Sequence, residues 1–418
     1  MNTEKSNFPK FMLLWAGELI SGVGGGLTSF GLGVYVFQQT GSAADMALVT
    51  LLAFLPTLLL SIPAGVLADR YDRRLLMMIG DSCSALGIFY ILLTMLQGVA
   101  ALAQICIGVF ISSVFSALLE PSYKATVTDL LTPEEYSRAS GMVSIAGSAR
   151  YLISPVLAGA LLAVSDIKLL LVIDICTFFP TVMGAAVVKK KIGSTTGEQS
   201  SFGESLREGW RGIGDNVGVR ILVALSALIT CFMGTFQVLA QPMILDFADS
   251  RVLGVGETLC ACGMLVSSLI LGAKGIRRGY VKCLSLSLLA AGAAMTGFGI
   301  WENIYVICIF GFLFFAMLPL ANNCLDYLVR IHIPDEQQGR AWGLIGFLSQ
   351  TGYVFAYGLA GVAADGAAAK FGVSTGRGAA GIVIGAGILL SITALILYFQ
   401  RSVRALEKTG GRERTPQW

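Results

Sequence analysis

The residues of this 418-residue chain that could do chemistry fall into two settings. The first is a ten-residue stretch, Gly65-Val-Leu-Ala-Asp69-Arg70-Tyr-Asp72-Arg73-Arg74, which sets two acids and three arginines between two long apolar runs. A turn between membrane helices needs only a few polar residues. This density of charge asks for a role beyond that of a connection, and Gly65 would admit close backbone approach. The plainer alternative is a topogenic loop. The second setting is the interior of the apolar runs, where Glu18, Arg150 and Asp174 lie, with Glu120 and Asp326 near run ends. A charge at the centre of a membrane helix costs about 2.5–3.5 kcal/mol on insertion scales, so each of these needs a reason. Acids so placed can carry protons or serve as fixed ion pairs, and those near an end can reach water along their own stems.

Composition shows what must position these groups. The chain is 55% hydrophobic and 13% charged, with mean hydropathy +0.75, whereas soluble domains carry about 25% charged residues. Its apolar surface must face lipid. Each crossing takes about 20 mostly apolar residues in a helix, because the bilayer core offers backbone groups no other partner. Twelve spans are expected: Phe11–Phe37, Ala44–Ala68, Leu75–Gln97, Ala100–Tyr123, Ala139–Val164 and Leu169–Val188, then Val219–Leu245, Val252–Ala273, Tyr280–Ile300, Ile304–Val329, Ala341–Ala364 and Ala379–Phe399. Pro56 and Pro63 interrupt the second, and Glu18 with the glycines from Gly17 to Gly33 interrupts the first. Both remain spans, since neighbouring helices can re-satisfy the backbone.

Lysine and arginine set the orientation. With both termini cytoplasmic, 24 of the 29 basic residues fall on the inner side, and only Lys168, Arg251, Lys370 and Arg377 on the outer. The net charge of +3 is therefore a topology signal and gives no support to nucleic-acid binding. The first apolar segment is too long for a cleavable signal and lacks a small-residue cleavage site, so it is expected to stay in the membrane. The nine cysteines lie almost entirely within spans and read as buried free thiols, and one histidine, His332, makes no metal site. The glycines of the first span lack the lysine and flanking strand of a phosphate loop. No nucleophile with a histidine base is present either. An enzyme is not expected, and no cofactor.

The chain also repeats itself. Arg138-Ala139-Ser140-Gly141 recurs 202 residues later as Arg340-Ala341-Trp342-Gly343, and Gly159 recurs at the same offset as Gly361. Each copy follows a proline and two acids, Pro133-Glu134-Glu135 and Pro334-Asp335-Glu336. The charged turn has a worn counterpart, Gly272-Ala-Lys274-Gly-Ile-Arg277-Arg278, which keeps the arginines and loses the aspartate. The expected organisation is a six-helix bundle over 1–188, a cytoplasmic linker over 189–218, a second six-helix bundle over 219–400 and a tail over 401–418. Within the linker, Ser201-Phe-Gly-Glu204 has the form of a capping box. Phe202, Leu206, Trp210 and Ile213 share one helical face, as for a short amphipathic helix on the membrane surface with Arg207 and Arg211 towards headgroups. The alternative is a simple tether.

Twelve spans in two similar halves, with Gly65-x-Leu67-Ala-Asp69-Arg70-x-x-Arg73-Arg74 after the second, resemble the major facilitator superfamily across essentially the whole chain. Asp72 stands where the family has glycine. Tyr35 to Ser42, Ile173-Asp174 and Leu206-Arg-Glu-Gly-Trp resemble the macrolide-efflux branch of the drug:proton antiporters, with siderophore exporters in the same neighbourhood. The resemblance implies an all-α polytopic protein of two pseudo-symmetric bundles that rock about a central cavity, a monomer in a bacterial cell membrane that exports a small molecule in exchange for protons. It assigns Gly65, Asp69, Arg70, Asp72, Arg73 and Arg74 to an inner gate. Asp69, at the negative end of helix two, would be held by Arg73 or Arg74 or by the amino end of helix eleven near Arg340 and Ala341.

In the family's arrangement helices one and five are neighbours, so Glu18 and Arg150, at comparable depth, are expected to pair. Separating them would favour protonation of Glu18, and Glu120 and Asp326 are weaker candidates for that role. A static pair that fixes packing is the alternative. Two departures bear on antiport: no arginine lies between Ala100 and Leu119, and the helix-five antiporter motif survives only as Gly147, Ser154-Pro155 and Gly159. Helices one, four, seven and ten line the family's cavity, which offers Phe30, Phe115, Phe232, Phe236, Gln237, Phe314 and Met317. Such a lining suits a bulky, largely apolar ligand, although Phe and Met also serve as core or lipid contacts. A sensor or assembly partner that never transports could keep the same fold.

Overall fold

The structure is a computed structural model in which residues 7–132, 135–187, 217–276, 279–333 and 338–409 are described. The expected linker helix and the pairs Pro133-Glu134 and Arg277-Arg278 lie outside the described residues, as do 334–337 and the tail from 410. Contacts divide the chain into two compact units, Met1–Gly197 with Asp249–Thr258, and Glu198–Ala248 with Leu259–Trp418.

The first unit is built from α1 (Phe8–Thr40), α2 (Ala43–Arg70), α3 (Arg73–Gln97), α4 (Leu102–Ser116), α5 (Leu119–Leu130), α6 (Tyr136–Leu152), α7 (Ser154–Leu162) and α8 (Ile167–Val187). Local signals explain the boundaries. Gly41 ends α1 in the left-handed region (φ 65°) and returns its N–H to Phe37 O. One residue later Ser42 caps α2, its hydroxyl accepting from Asp45 N at 3.1 Å, and Asp45 itself suits the positive end of the helix. Both interrupted spans are continuous helices: α1 runs through its glycines, and α2 keeps Pro56 and Pro63 inside it.

The breaks occur elsewhere. The expected fourth span is α4 followed by α5, parted at Ala117–Leu118 just before Pro121, and it continues to Leu130 beyond its expected end at Tyr123. The fifth is α6 followed by α7, parted at Ile153 just before Pro155. In both cases the proline lacks an N–H and its ring crowds the preceding turn.

The second unit repeats the scheme with α9 (Val217–Leu245), most of α10 (Ser250–Lys274), α11 (Tyr280–Ile300), α12 (Ile304–Arg330), α13 (Gln338–Phe371), α14 (Thr375–Phe399) and α15 (Arg401–Thr409). The same neighbours meet in each unit. In the first, α1 packs on α6, α7 and α8, and α3 on α4 and α8; in the second, α9 packs on α13 and α14, and α11 on α12 and α14. The duplication read from the sequence is thus a duplication of packing.

Eleven spans among the described residues are long and apolar enough to cross a membrane. The expected twelfth, Ala341–Ala364, falls within α13, which has the length but is diluted by Gln350, Thr351, Tyr353, Asp365 and several glycines. Two boundaries differ from the expected domains. Residues 249–258 cluster with the first unit, because Gly159 and Gly254 let α7 and the start of α10 touch backbone to backbone. A Cβ at Gly159 would sit 2.5 Å from Ser250 O, and Thr258 Oγ1 donates to Leu152 O at 2.9 Å. The expected tail begins as a docked helix: α15 buries Val403 and Leu406, the latter against Gly218 of α9, and Glu407 Oε1 accepts from Tyr280 N at the start of α11 at 2.9 Å.

Candidate functional site

The charged turn joins α2 to α3. Asp72 caps α3, accepting from Arg74 N at 3.1 Å, and its carboxylate stands 3.7 Å from Arg74 Nη2. Arg73 is the hub. Its Nε donates to Ala68 O at 3.0 Å, one of the carbonyls left open at the end of α2. Its Nη1 reaches α5, donating to Ala125 O at 3.2 Å and Asp129 Oδ2 at 2.6 Å. Arg73 therefore ties three helices together, and the Asp129 pair is largely shielded, with side chains 17% and 20% exposed.

Asp69 is different. Its side chain is 75% exposed, and its contact with Arg73 is a longer 3.7 Å. It stands at the negative end of α2 with little holding it. Arg70 is exposed, and the Arg340 side chain lies outside the described residues. Gly65 does not do what was expected of it here: a Cβ there would meet nothing within 4 Å, so no close backbone approach depends on it in this structure.

Deeper in the unit, α1 lies against α8 along a stripe of glycines seven residues apart. Gly17 abuts the backbone of Pro180 and Thr181, Gly24 abuts Thr177 and Asp174, and Gly31 abuts Ile167 and Leu170. Without side chains, glycines at this spacing admit close helix contact. This contact seals Asp174 at 2% exposure against α1, with Oδ1 lacking a hydrogen-bond partner among the described residues.

Glu18 and Arg150 form no ion pair among the described residues, contrary to expectation. Arg150 sits in the last turn of α6, just before the break, where its stem runs past Gly26 of α1 and its head stays exposed. Ser154, at the start of α7, donates to Val23 O of α1 at 3.0 Å. Glu18 is half-buried. Glu120 pairs at 2.6 Å with Lys124 one turn on, both exposed, and Asp326 is exposed on α12.

Two acids that sequence reasoning passed over matter here. Asp129 has no local signal, since its partner is 56 residues away. Asp81, in α3, meets the criterion that singled out Glu18: it is an acid within a span, 1% exposed, and neither carboxylate oxygen has a partner among the described residues.

In the second unit the expected cavity residues separate into two groups. Phe236 stacks on Phe314 with centroids 4.4 Å apart and meets Phe298 at 4.5 Å; Phe236 and Phe314 are buried in the unit's own packing, as is Phe232. Phe30 is likewise buried in the first unit, while Phe115 and Met317 are half-buried. Gln237 is half-buried, and its Oε1 accepts from Tyr357 OH at 3.0 Å. One turn away Tyr353 OH meets Met233 Sδ at 3.0 Å. The two tyrosines, four residues apart on α13, set a polar and aromatic ladder along α9. Among the described residues no cluster of acid, cysteine or histidine side chains could hold a metal ion.

Comparison with known proteins agrees with this architecture. Residues 14–357 match the sequence model of the Major Facilitator Superfamily. Macrolide efflux protein A of Streptococcus pyogenes is 26% identical over 348 residues, covering 81% of this chain and 85% of that protein. The multidrug efflux pump Tap of Mycolicibacterium fortuitum is 26% identical over 390 residues, covering 88% and 91%. The staphyloferrin A transporter of Staphylococcus aureus is 23% identical, covering 81% and 83%. Among solved structures, a bacterial homologue of the human lysosomal transporter Spinster superposes with TM-score 0.70 at 14% identity, covering 98% and 99%.

Proposed function

The chain belongs to the major facilitator superfamily, and from that footing we propose that it exports a bulky, largely apolar small molecule by alternating access, in exchange for protons. The observation that carries the substrate class is the likeness to macrolide efflux protein A over 81% of the chain. Proton exchange rests on the acids buried in the first unit, which in a lipid setting need a functional reason. Glu18, half-buried and without a fixed partner among the described residues, is the group we assign to coupling. Asp69 is the switch of the cytoplasmic gate, and Arg73, tied to Asp129, is its fixed post. Gln237 and the tyrosines beside it supply a polar handle for the substrate within an apolar lining. The protein works as a monomer in a bacterial cell membrane, both termini in the cytoplasm, as the basic residues argue.

A siderophore is the second reading, favoured by the 23% identity to the staphyloferrin A transporter. An exposed Asp69 at a shielded arginine post argues against a sensor that never cycles. Inverted membrane vesicles offered a panel of macrolides and siderophores, with and without a proton gradient, test all three. Gradient-dependent macrolide uptake is expected. Uptake of siderophores alone would replace the substrate class, flux indifferent to the gradient would remove proton exchange, and no flux with any compound would remove export. Glu18→Gln should abolish the gradient dependence while sparing substrate binding.

A further inference from the structure

Asp81 is the acid that proton exchange through Glu18 does not use. It lies in α3 between two layers of the first unit. One turn earlier, Met77 belongs to a buried cluster with Tyr123 of α5, and Thr126 Oγ1 approaches its sulfur at 3.8 Å. Almost one turn later, Ser84 Oγ is bonded to Ser112 at 2.8 Å and Ser116 at 2.9 Å. The serines satisfy one another and offer Asp81 nothing. The Tyr123 hydroxyl of α5 is also buried, with no partner among the described residues.

Charged and titratable groups face this acid from several elements. Glu18 comes from α1 and Asp174 from α8; α5 carries the buried Tyr123 beside Met77, with Glu120 turned outward to Lys124, and α4 brings serines but no charge. Among the described residues the cation that acts on Glu18 and Asp174 is Arg150. A carboxylate at 1% exposure with two unsatisfied oxygens cannot persist as a bare anion among other acids, because an unpaired buried charge is far costlier than a buried neutral group. Something must neutralise it. Among the described residues no ligand set converges on it to hold a metal ion, which leaves the smallest cation.

We propose that Asp81 is a second proton-carrying carboxylate of the transport cycle. In the packing seen here it holds a proton on one oxygen. When α3 shifts against α5 and α8, on which it packs, water or the Tyr123 hydroxyl reaches that oxygen, the proton leaves, and the carboxylate takes up another from the opposite side of the cycle. The inference rests on the proton-exchange reading but makes a claim about Asp81 that can fail by itself.

The test uses the purified full chain in lipid with dicyclohexylcarbodiimide, an apolar reagent that adds to protonated carboxyls in a membrane. Mass spectrometry should find the adduct at Asp81, declining as pH rises, whether or not a substrate has been identified. No adduct, or one indifferent to pH, would overturn the proposal. In vesicles, Asp81→Asn should lose gradient-driven export and keep gradient-independent substrate exchange, and Asp81→Glu should restore the gradient dependence. Retained gradient dependence in Asp81→Asn, or its loss in both variants, marks a packing role and sinks the idea. Wild-type export that ignores the gradient while Asp81 is still labelled would remove the proton-exchange reading and, with it, the role of Asp81 in transport. If Asp81→Asn does not fold, the labelling of the wild-type chain decides.

Discussion

Removing the carboxylate of Asp129 and that of Asp69 should separate the fixed part of the gate from the moving part. Arg73 Nη1 and Asp129 Oδ2 are 2.6 Å apart, a gross attraction of about 6 kcal/mol at an effective dielectric of about 20. Most of this offsets the cost of taking two charges out of water. The net loss in Asp129→Ala should therefore be that of a charged hydrogen bond, about 2 kcal/mol. It is held near that value because Arg73 keeps its bonds to Ala68 O and Ala125 O. Asp69 is 75% exposed and 3.7 Å from Arg73, so Asp69→Asn should cost no more than about 0.5 kcal/mol, and less at high salt. Thermal unfolding of the purified protein should show Asp129→Ala clearly destabilised and Asp69→Asn close to wild type. Vesicle export should reverse the order of severity per kcal/mol, with Asp69→Asn transporting poorly although it folds normally. Equal destabilisation by the two variants would refute the division of labour. Normal transport by Asp69→Asn would refute the switch.

Three further outcomes follow from the packing. A valine at Gly24 would drive its Cβ into Thr177 and Asp174, whereas Gly22 and Gly25 face open space; Gly24→Val should lose roughly 1–3 kcal/mol or fail to fold, while alanine at Gly22 or Gly25 is tolerated, as read from thermal stability. Glu407→Ala removes the acceptor for Tyr280 N at the start of α11 and should cost about 1 kcal/mol, with deletion of 401–418 costing more because Val403 and Leu406 lose their seats. Tyr357→Phe frees the Gln237 amide from its bond and should change the relative export of substrates with different hydrogen-bonding groups while costing stability only about 1 kcal/mol, measured as competition between two macrolides in vesicles.

The sequence by itself determined the lipid-facing class, the approximate limits of the spans, the duplication and the place of the charged turn. These are properties of composition and of local spacing: 20 apolar residues specify a crossing wherever they occur, and a capping Ser42 or a left-handed Gly41 acts within its own turn. Even the splits at Pro121 and Pro155 were written locally, although which prolines break a helix was not, since Pro56 and Pro63 lie within a continuous α2. What the tertiary structure alone decided is which charges meet. Arg73 finds Asp129 across 56 residues, Glu18 and Arg150 do not pair despite comparable depth, and Asp81 has no partner among the described residues although three serines bond to one another nearly a turn away. Depth along a helix can be counted from the sequence. The direction a side chain faces around that helix depends on how α1, α3, α5 and α8 rotate to bring their glycines and serines together, and close packing of distant segments fixes that rotation.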